Sequence, residues 1–178
     1  RILKPFVSCR DFKLCCFIGV VFDCCVNLSL DLYMEYDARM KETFSLIIPT
    51  YNGGQLFEVC CKKIVQQTIK PIKIIIIDSG SDDNTIELAK EITADVIKIR
   101  IEEFRHGRTR DLALELVKTK YVIFMTQDAI LAAEDSFSNL ISFVIKNQLA
   151  AAYGRQLPHI DANALAVHTR LHNYPENS

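Results

Sequence analysis

From residue 44 onward the chain switches repeatedly between short, continuous apolar runs and longer stretches with helical spacing. Ser45-Leu-Ile-Ile-Pro-Thr50 is an apolar run ended by Tyr51-Asn52-Gly53-Gly54, which predicts a buried strand and a turn. Between Gln55 and Thr68, apolar residues at Leu56, Val59, Cys60, Ile64 and Val65 keep helical spacing, and Pro71 closes the segment. Ile72-Lys-Ile-Ile-Ile-Ile77 then runs into Asp78-Ser79-Gly80-Ser81. Such an unbroken apolar run suits a parallel strand covered on both faces. Asp82 or Asp83 can cap a helix from Thr85 to Glu91, with Ile86, Leu88, Ala89 and Ile92 inward. Residues 95–100 predict a third strand. A helix over 109–118 follows, with Leu112, Leu116 and Val117 inward. Residues 121–125 predict a fourth strand, 136–147 a helix, and 150–153 a fifth strand.

This alternation predicts right-handed βαβ units and a mostly parallel sheet flanked by helices, an α/β fold. Ligands of such sheets bind beyond the carboxyl ends of the strands. The turns found there carry Thr50-Tyr51-Asn52, Asp78-Ser79-Gly80-Ser81, His106-Gly107 and Gln127-Asp128. Polar groups and glycines therefore gather on one predicted edge.

Composition narrows the classes. The chain has 178 residues, 49% hydrophobic and 24% charged, which excludes a disordered tail or a fibre and gives enough length for one core. A net charge of −1 offers no basic face for nucleic acid. The seven cysteines cluster at Cys9, Cys15, Cys16, Cys24, Cys25, Cys60 and Cys61. Their odd count, and the lack of any C-x-x-C, argue for a reducing compartment over a secreted disulfide framework or a zinc site.

Residues 1–39 differ in character from 40–178, and Met40 has the look of a translation start. The apolar stretch 14–22 is shorter than the ~20 residues of a membrane helix, and Asp23 and Asn27 occupy the place of a signal-cleavage site. Three readings of 1–39 stand: a non-native extension, an ordered flanking element, or a membrane contact. The abrupt end at Ser178 suggests a cut within a larger domain on its C-terminal side.

There is no G-x-G-x-x-G after the first strand, no P-loop and no G-x-S-x-G elbow, which weighs against dinucleotide oxidoreductases, P-loop NTPases and α/β-hydrolases. Asp78 and Asp128 directly follow apolar strands. A carboxylate there can hold Mg²⁺ or Mn²⁺, bind sugar hydroxyls, or simply shape a turn. His106-Gly107-Arg108-Thr109-Arg110 precedes a helix and reads either as an anion site or as a polar loop with Thr109 as N-cap. His168 and His172, with His159 and Asp161 nearby, lack the glutamate of H-E-x-x-H. Cys60-Cys61 reads as a buried thiol beside a half-exposed one, and Ile74 to Ile77 as core.

Three ordered segments, Ile47-Ile-Pro-Thr-Tyr-Asn52, Ile77-Asp-Ser-Gly-Ser-Asp-Asp-Asn-Thr85 and Phe124-Met-Thr-Gln-Asp-Ala129, together resemble the family 2 glycosyltransferases of GT-A (Rossmann-like) fold. Glu103-Phe-Arg-His-Gly-Arg-Thr-Arg110, Tyr153-Gly-Arg-Gln-Leu-Pro158 and 170–178 resemble the rhamnosyltransferase branch. The resemblance covers residues 44–178, the nucleotide-sugar-binding half of such a domain. It implies a nucleoside diphosphate sugar as donor, with dTDP-rhamnose favoured. It also implies inverting transfer to a glycan or lipid-linked acceptor, as in polysaccharide biosynthesis. Thr50, Tyr51, Asp78 and Ser79 would face the base and ribose. His106, Gly107 and Arg110 would lie near the pyrophosphate, with Gln127 beside the metal turn. Arg155 and Gln156 would reach the donor or acceptor pocket.

Asp128 would carry Mg²⁺ or Mn²⁺, as the one carboxylate kept of the family's Asp-x-Asp motif. The branch's usual glycine and asparagine are replaced by Arg108 and Asp111, and the second of two consecutive acids by Ser79. In relatives the general base lies in the second half of the domain, which puts it beyond Ser178 rather than at Asp161 or Glu176. Sugar-nucleotide supply and the cysteines imply the cytoplasm, with peripheral contact at the inner face of the cell membrane if the acceptor is lipid-linked. The alternative is a catalytically incomplete nucleotide-binding α/β module lacking the base. A receiver-like domain fits less well, because its extra acids belong after the first strand, where this chain has Pro49-Thr50-Tyr51.

Overall fold

The computed structural model describes residues 19–22, 43–92, 94–158 and 161–174. They form one six-stranded sheet with helices on both faces, as the strand–helix alternation predicts. In chain order the strands are β1 (Gly19–Phe22), β2 (Phe44–Thr50), β3 (Lys73–Asp78), β4 (Asp95–Lys98), β5 (Tyr121–Phe124) and β6 (Ala151–Tyr153). The helices are α1 (Gly54–Gln66), α2 (Thr85–Glu91), α3 (His106–Leu114), α4 (Ser136–Lys146) and α5 (Ala164–Asn173), and a 3₁₀ turn spans Ile101–Glu103.

The order across the sheet is β4-β3-β2-β5-β1-β6. β2, β3, β4 and β5 are parallel, whereas β1 runs antiparallel between β5 and β6. The chain thus steps from β2 through β3 to β4 and then returns to the far side of β2 for β5. This reversal makes the gap between β2 and β5 the switch point of the sheet, where strand ends splay loops apart and leave a crevice.

The isoleucine run explains the layers. Strand side chains alternate between faces, so Ile74 and Ile76 join one core while Ile75 and Ile77 join the other. The larger core packs α1, α2 and α4 on Leu46, Ile48 and Ile123, with Phe44 and Phe137 in edge-to-face contact at 5.3 Å. The smaller lies under α3, around Ile47, Val122 and Phe124. Each fully buried isoleucine contributes roughly 1.5–3 kcal/mol of hydrophobic burial.

Polar ties fix the helix ends. Gln67 is buried just past α1. Its Nε2 donates to the Ala133 carbonyl (2.7 Å) and its Oε1 accepts from the Phe137 N–H (3.0 Å), so a side chain from α1 satisfies the first turn of α4.

Three details differ from the sequence expectation. In α1 the buried residues are Phe57, Cys60, Cys61 and Ile64, while Leu56, Val59 and Val65 are exposed. The buried stripe is offset from the expected one because Phe57, Cys60, Cys61 and Ile64 pack into the larger core, and Cys61 is buried rather than half-exposed. Helix α3 begins three residues earlier than expected, at His106. Thr109 does not cap it by starting it. Instead its buried Oγ1 accepts the Arg105 N–H (3.1 Å) from within the first turns. That earlier start turns Thr109 and Ala113 inward, with Leu114 and Val117 packed beside them. Leu112 and Leu116 are left 40% and 46% exposed. The residue before α2 is Asn84, although Asp83 Oδ1 does accept the Thr85 N–H (3.0 Å).

Of residues 1–39, only β1 is described, as an ordered strand of the sheet; Met40, His159 and Glu176 lie outside the described residues. Among the described residues no helix is long and apolar enough to cross a membrane.

Candidate functional site at the sheet switch point

The site is built where β2, β3 and β5 end. Thr50 and Asp78 are register partners at the last position of β2 and β3. The Asp78 carboxylate is 0% exposed and its partners are all protein groups. Oδ1 accepts from the hydroxyls of Thr50 (3.1 Å) and Ser81, and Oδ2 accepts the backbone N–H groups of Gly80 (3.0 Å) and Ser81 (2.9 Å). The turn closes through Gly80, whose φ of +96° suits a residue without Cβ. Ser79 is also buried: its N–H and hydroxyl both donate to the Thr50 carbonyl (3.0 and 2.9 Å). Asp78 and Ser79 therefore shape the turn, while Tyr51, 45% exposed, presents its ring outward.

A second set of bonds ties the turn after β2 to the turn after β3. The Asn52 N–H donates to Ser81 Oγ (2.9 Å) and Asn52 Oδ1 accepts the Asp82 N–H (2.9 Å). The N–H groups of Gly53 and Gly54 donate to Thr85 Oγ1 (2.8 Å) and Asp83 Oδ2 (3.0 Å). The start of α1 is thus satisfied by side chains from the neighbouring turn. These contacts hold the Asp83 carboxyl below the usual range, chiefly through the Thr85 side chain, then through the Thr85 and Gly54 N–H groups. Sequence reasoning assigned Asp83 only as a helix cap and passed over Ser81 and Thr85. Their signal was a run of short polar side chains after a strand, which suits many turns.

Across the switch point, Gln127 bridges to Tyr51. The Tyr51 N–H donates to Gln127 Oε1 (2.7 Å), and Gln127 Nε2 donates to the Tyr51 carbonyl (2.9 Å). The next residue, Asp128, is exposed. Just before them, Thr126 Oγ1 is buried with no hydrogen-bond partner among the described residues. Asp128 lines an open cavity of about 1090 Å³ together with Arg155 and Gln156. Its remaining wall is largely apolar, including Leu131, Leu140, Phe143 and Leu157. Arg155 Nε donates to the Tyr174 carbonyl (2.9 Å) and Gln156 Oε1 accepts from Arg170, so α5 orients both.

His106, Gly107 and Arg110 sit at the start of α3, after β4, on the same edge of the sheet. Ile99 N–H donates to the Asp78 carbonyl (2.8 Å), which pins this connection to the Asp78 turn. Arg110 Nη1 donates to the His106 carbonyl (2.7 Å), and burial lowers the Arg110 pKa. Among the described residues no carboxylate lies within ion-pair distance of it. The structure therefore brings Thr50, Tyr51, Asp78, Ser79 and Gln127 into one bonded network. It brings Asp128, Arg155 and Gln156 into one cavity. The hydrogen bonds of His106 and Arg110 stay within their own segment.

Among the described residues no three His, Cys, Asp or Glu side chains converge on one point. Asp128 alone fits the mode in which Mg²⁺ or Mn²⁺ takes one carboxylate and completes its shell with substrate phosphates and water. His168 and His172 do share a face of α5, with rings stacked at 6.0 Å, but they form part of no such group.

The family model for glycosyl transferase family 2 matches residues 45–177. The chain belongs to this family. The O-antigen chain rhamnosyltransferase RfbN of Salmonella typhimurium is 48% identical over 136 residues, which are 75% of this chain and 43% of that protein. The O-antigen chain rhamnosyltransferase WbaN of Salmonella anatum is 42% identical over 134 residues, 74% of this chain and 42% of that protein. This family 2 chain thus spans less than half the length of those curated relatives. The mannosyltransferase PcManGT from Pyrobaculum calidifontis, solved with GDP-Man and Mn²⁺, superimposes with a TM-score of 0.50 at 20% identity. The match covers 64% of this chain and 39% of that one, and it supports the GT-A fold assignment.

Proposed function

We propose that this chain binds the donor of a glycosyltransferase that moves rhamnose from dTDP-rhamnose to a glycan or lipid-linked acceptor, with inversion at the anomeric carbon. The observation that carries the reading is the exposed Asp128 at the end of β5, joined through Gln127 to Tyr51 across the switch point. Two relatives named as rhamnosyltransferases, each above 40% identity, support the sugar.

In this reading Tyr51 offers its exposed ring to the nucleoside, and the buried Asp78 and Ser79 act through the turn that they hold. Asp128 would hold Mg²⁺ or Mn²⁺, and the bound ion would supply charge neutralisation for the diphosphate, which departs with the electron pair of the broken C–O bond. Arg110 and the N–H groups at the start of α3 add positive potential near the phosphates. Arg155 and Gln156 bound the cavity in which the sugar and acceptor meet. The attacking hydroxyl must give its proton to a base within hydrogen-bond reach.

Among the described residues Asp128 is the one carboxylate lining that cavity, and a carboxylate committed to a cation does not also take the proton. This favours a second reading for the described residues taken alone: donor binding without transfer, with the base supplied from outside them. In this reading the reaction runs in the cytoplasm, at the inner face of the membrane where the acceptor is lipid-linked; the cysteines and the source of the sugar nucleotide support it.

Thermal-shift titration with dTDP-rhamnose, UDP-glucose and GDP-mannose, each with Mg²⁺, Mn²⁺ or chelator, tests the reading. A metal-dependent rise with dTDP-rhamnose alone is expected, and Asp128→Asn should abolish the metal dependence. Equal metal-assisted binding by the variant would remove Asp128 from the site.

A further inference from the structure

We infer that Gln127 is a positioning residue that sets nucleotide affinity by clasping the Tyr51 backbone across the switch point, without touching the nucleotide. The inference rests on the donor-site reading above and goes beyond it in giving Gln127 a different task from ligand contact. The β2–β5 ladder stops at the pair Ile47 and Phe124, followed by one bond from the Met125 N–H to the Ile47 carbonyl (3.0 Å). Beyond that point the two chains diverge. The Gln127 carboxamide then makes a reciprocal pair with Tyr51, so a side chain copies a peptide unit and continues the pairing.

The bonded residues are 76 positions apart, and the clasp is what fixes the turn bearing Tyr51 against the turn bearing Asp128. Gly53 makes room for it. A Cβ there would meet Phe57 Cβ at 2.6 Å and Gln127 Oε1 at 3.3 Å. The clasp uses one N–H and one oxygen lone pair of the amide and so fixes the plane of the carboxamide.

The test uses the 178-residue chain, with dTDP and UDP as probes and Mn²⁺ present, by isothermal titration calorimetry. Gln127→Ala is expected to bind about tenfold more weakly than the parent. Gln127→Met keeps the length and bulk of the side chain but can make neither bond of the clasp, and it should weaken binding by a similar factor. Parental affinity in either variant overturns the inference. If Gln127→Ala does not fold, Gln127→Met carries the test.

Amide hydrogen exchange at Tyr51 in the ligand-free chain separates the clasp from the donor reading. Exchange about tenfold faster in Gln127→Ala supports the clasp, and unchanged exchange overturns it. If the parent binds neither nucleotide, the donor reading falls together with the affinity claim. Tyr51 exchange then still decides whether the clasp exists.

Discussion

Asp78→Ala is expected to destabilise the fold far more than Asp78→Asn, because the carboxylate is a hub of the turn. It is 0% exposed and accepts four hydrogen bonds, two from backbone N–H groups and two from hydroxyls. Alanine removes all four. The Gly80 and Ser81 N–H groups are near enough to the surface to find water, at a cost of about 1 kcal/mol each. The buried Thr50 hydroxyl has no such recourse, and leaving it unpaired adds roughly 1–3 kcal/mol. The total is about 3–5 kcal/mol, a fall in Tm of very roughly 6–20 °C for a chain of this size. Asparagine keeps one oxygen to accept both N–H groups, and its NH₂ meets two hydroxyls that can rotate from donor to acceptor. Its cost should be about 1 kcal/mol. Circular dichroism melts of parent and both variants measure the difference. A loss below about 1 kcal/mol in Asp78→Ala would refute the hub, and equal losses would refute the rotating-hydroxyl argument.

The thiols of α1 give a chemical prediction. Burial first, then Cys61 and Asp128, pushes the Cys60 thiol up to about 12, and burial pushes Cys61 to about 11. At about pH 8, iodoacetamide should label the peptide bearing this pair at least about a hundredfold more slowly in native protein than in denaturant; equal labelling contradicts the packing of α1. For Asp83, the depressed pKa makes its contribution complete above the ordinary carboxylate value near 4 and lost as pH falls through the lower, folded value. The Tm gap between parent and Asp83→Asn should be constant above about pH 5 and shrink below about pH 4; a gap that widens in acid would reverse the sign.

The sheet was legible because its strands are continuous apolar runs, and Ile74 to Ile77 had to be covered on both faces. Helix faces were harder. In α1, Leu56-Val59-Cys60 and Phe57-Cys60-Cys61-Ile64 both have helical spacing, and only packing against the sheet selects the second. In α3 the inward pair Thr109 and Ala113 is small, and no periodicity rule prefers it over Leu112 and Leu116. At the site, Tyr51, Asp78, Gln127 and Asp128 were legible as polar residues at strand ends. Their division into inner and outer groups was not. Thr50, which bonds Asp78, lies 28 positions from it, and Tyr51, which Gln127 clasps, lies 76 positions away; short-range pattern carries no information at such separations. Strand β1 was not legible for a similar reason: it ends the nine-residue apolar run 14–22, and the strands it pairs with lie far along the chain.

The placement of β1 has a consequence for how the chain assembles. Gly19 pairs with Phe124 on one side and with Tyr153 on the other, so this strand must wait for two strands synthesised well after it. Closing such a long loop costs entropy before any contact rewards it, and pairings of this kind form slowly. Until then β5 presents an open edge, the form of surface that invites pairing with another molecule. The parallel core from β2 to β5 can condense meanwhile, which makes the seating of β1, and of the β6 that depends on it, the expected slow phase of folding.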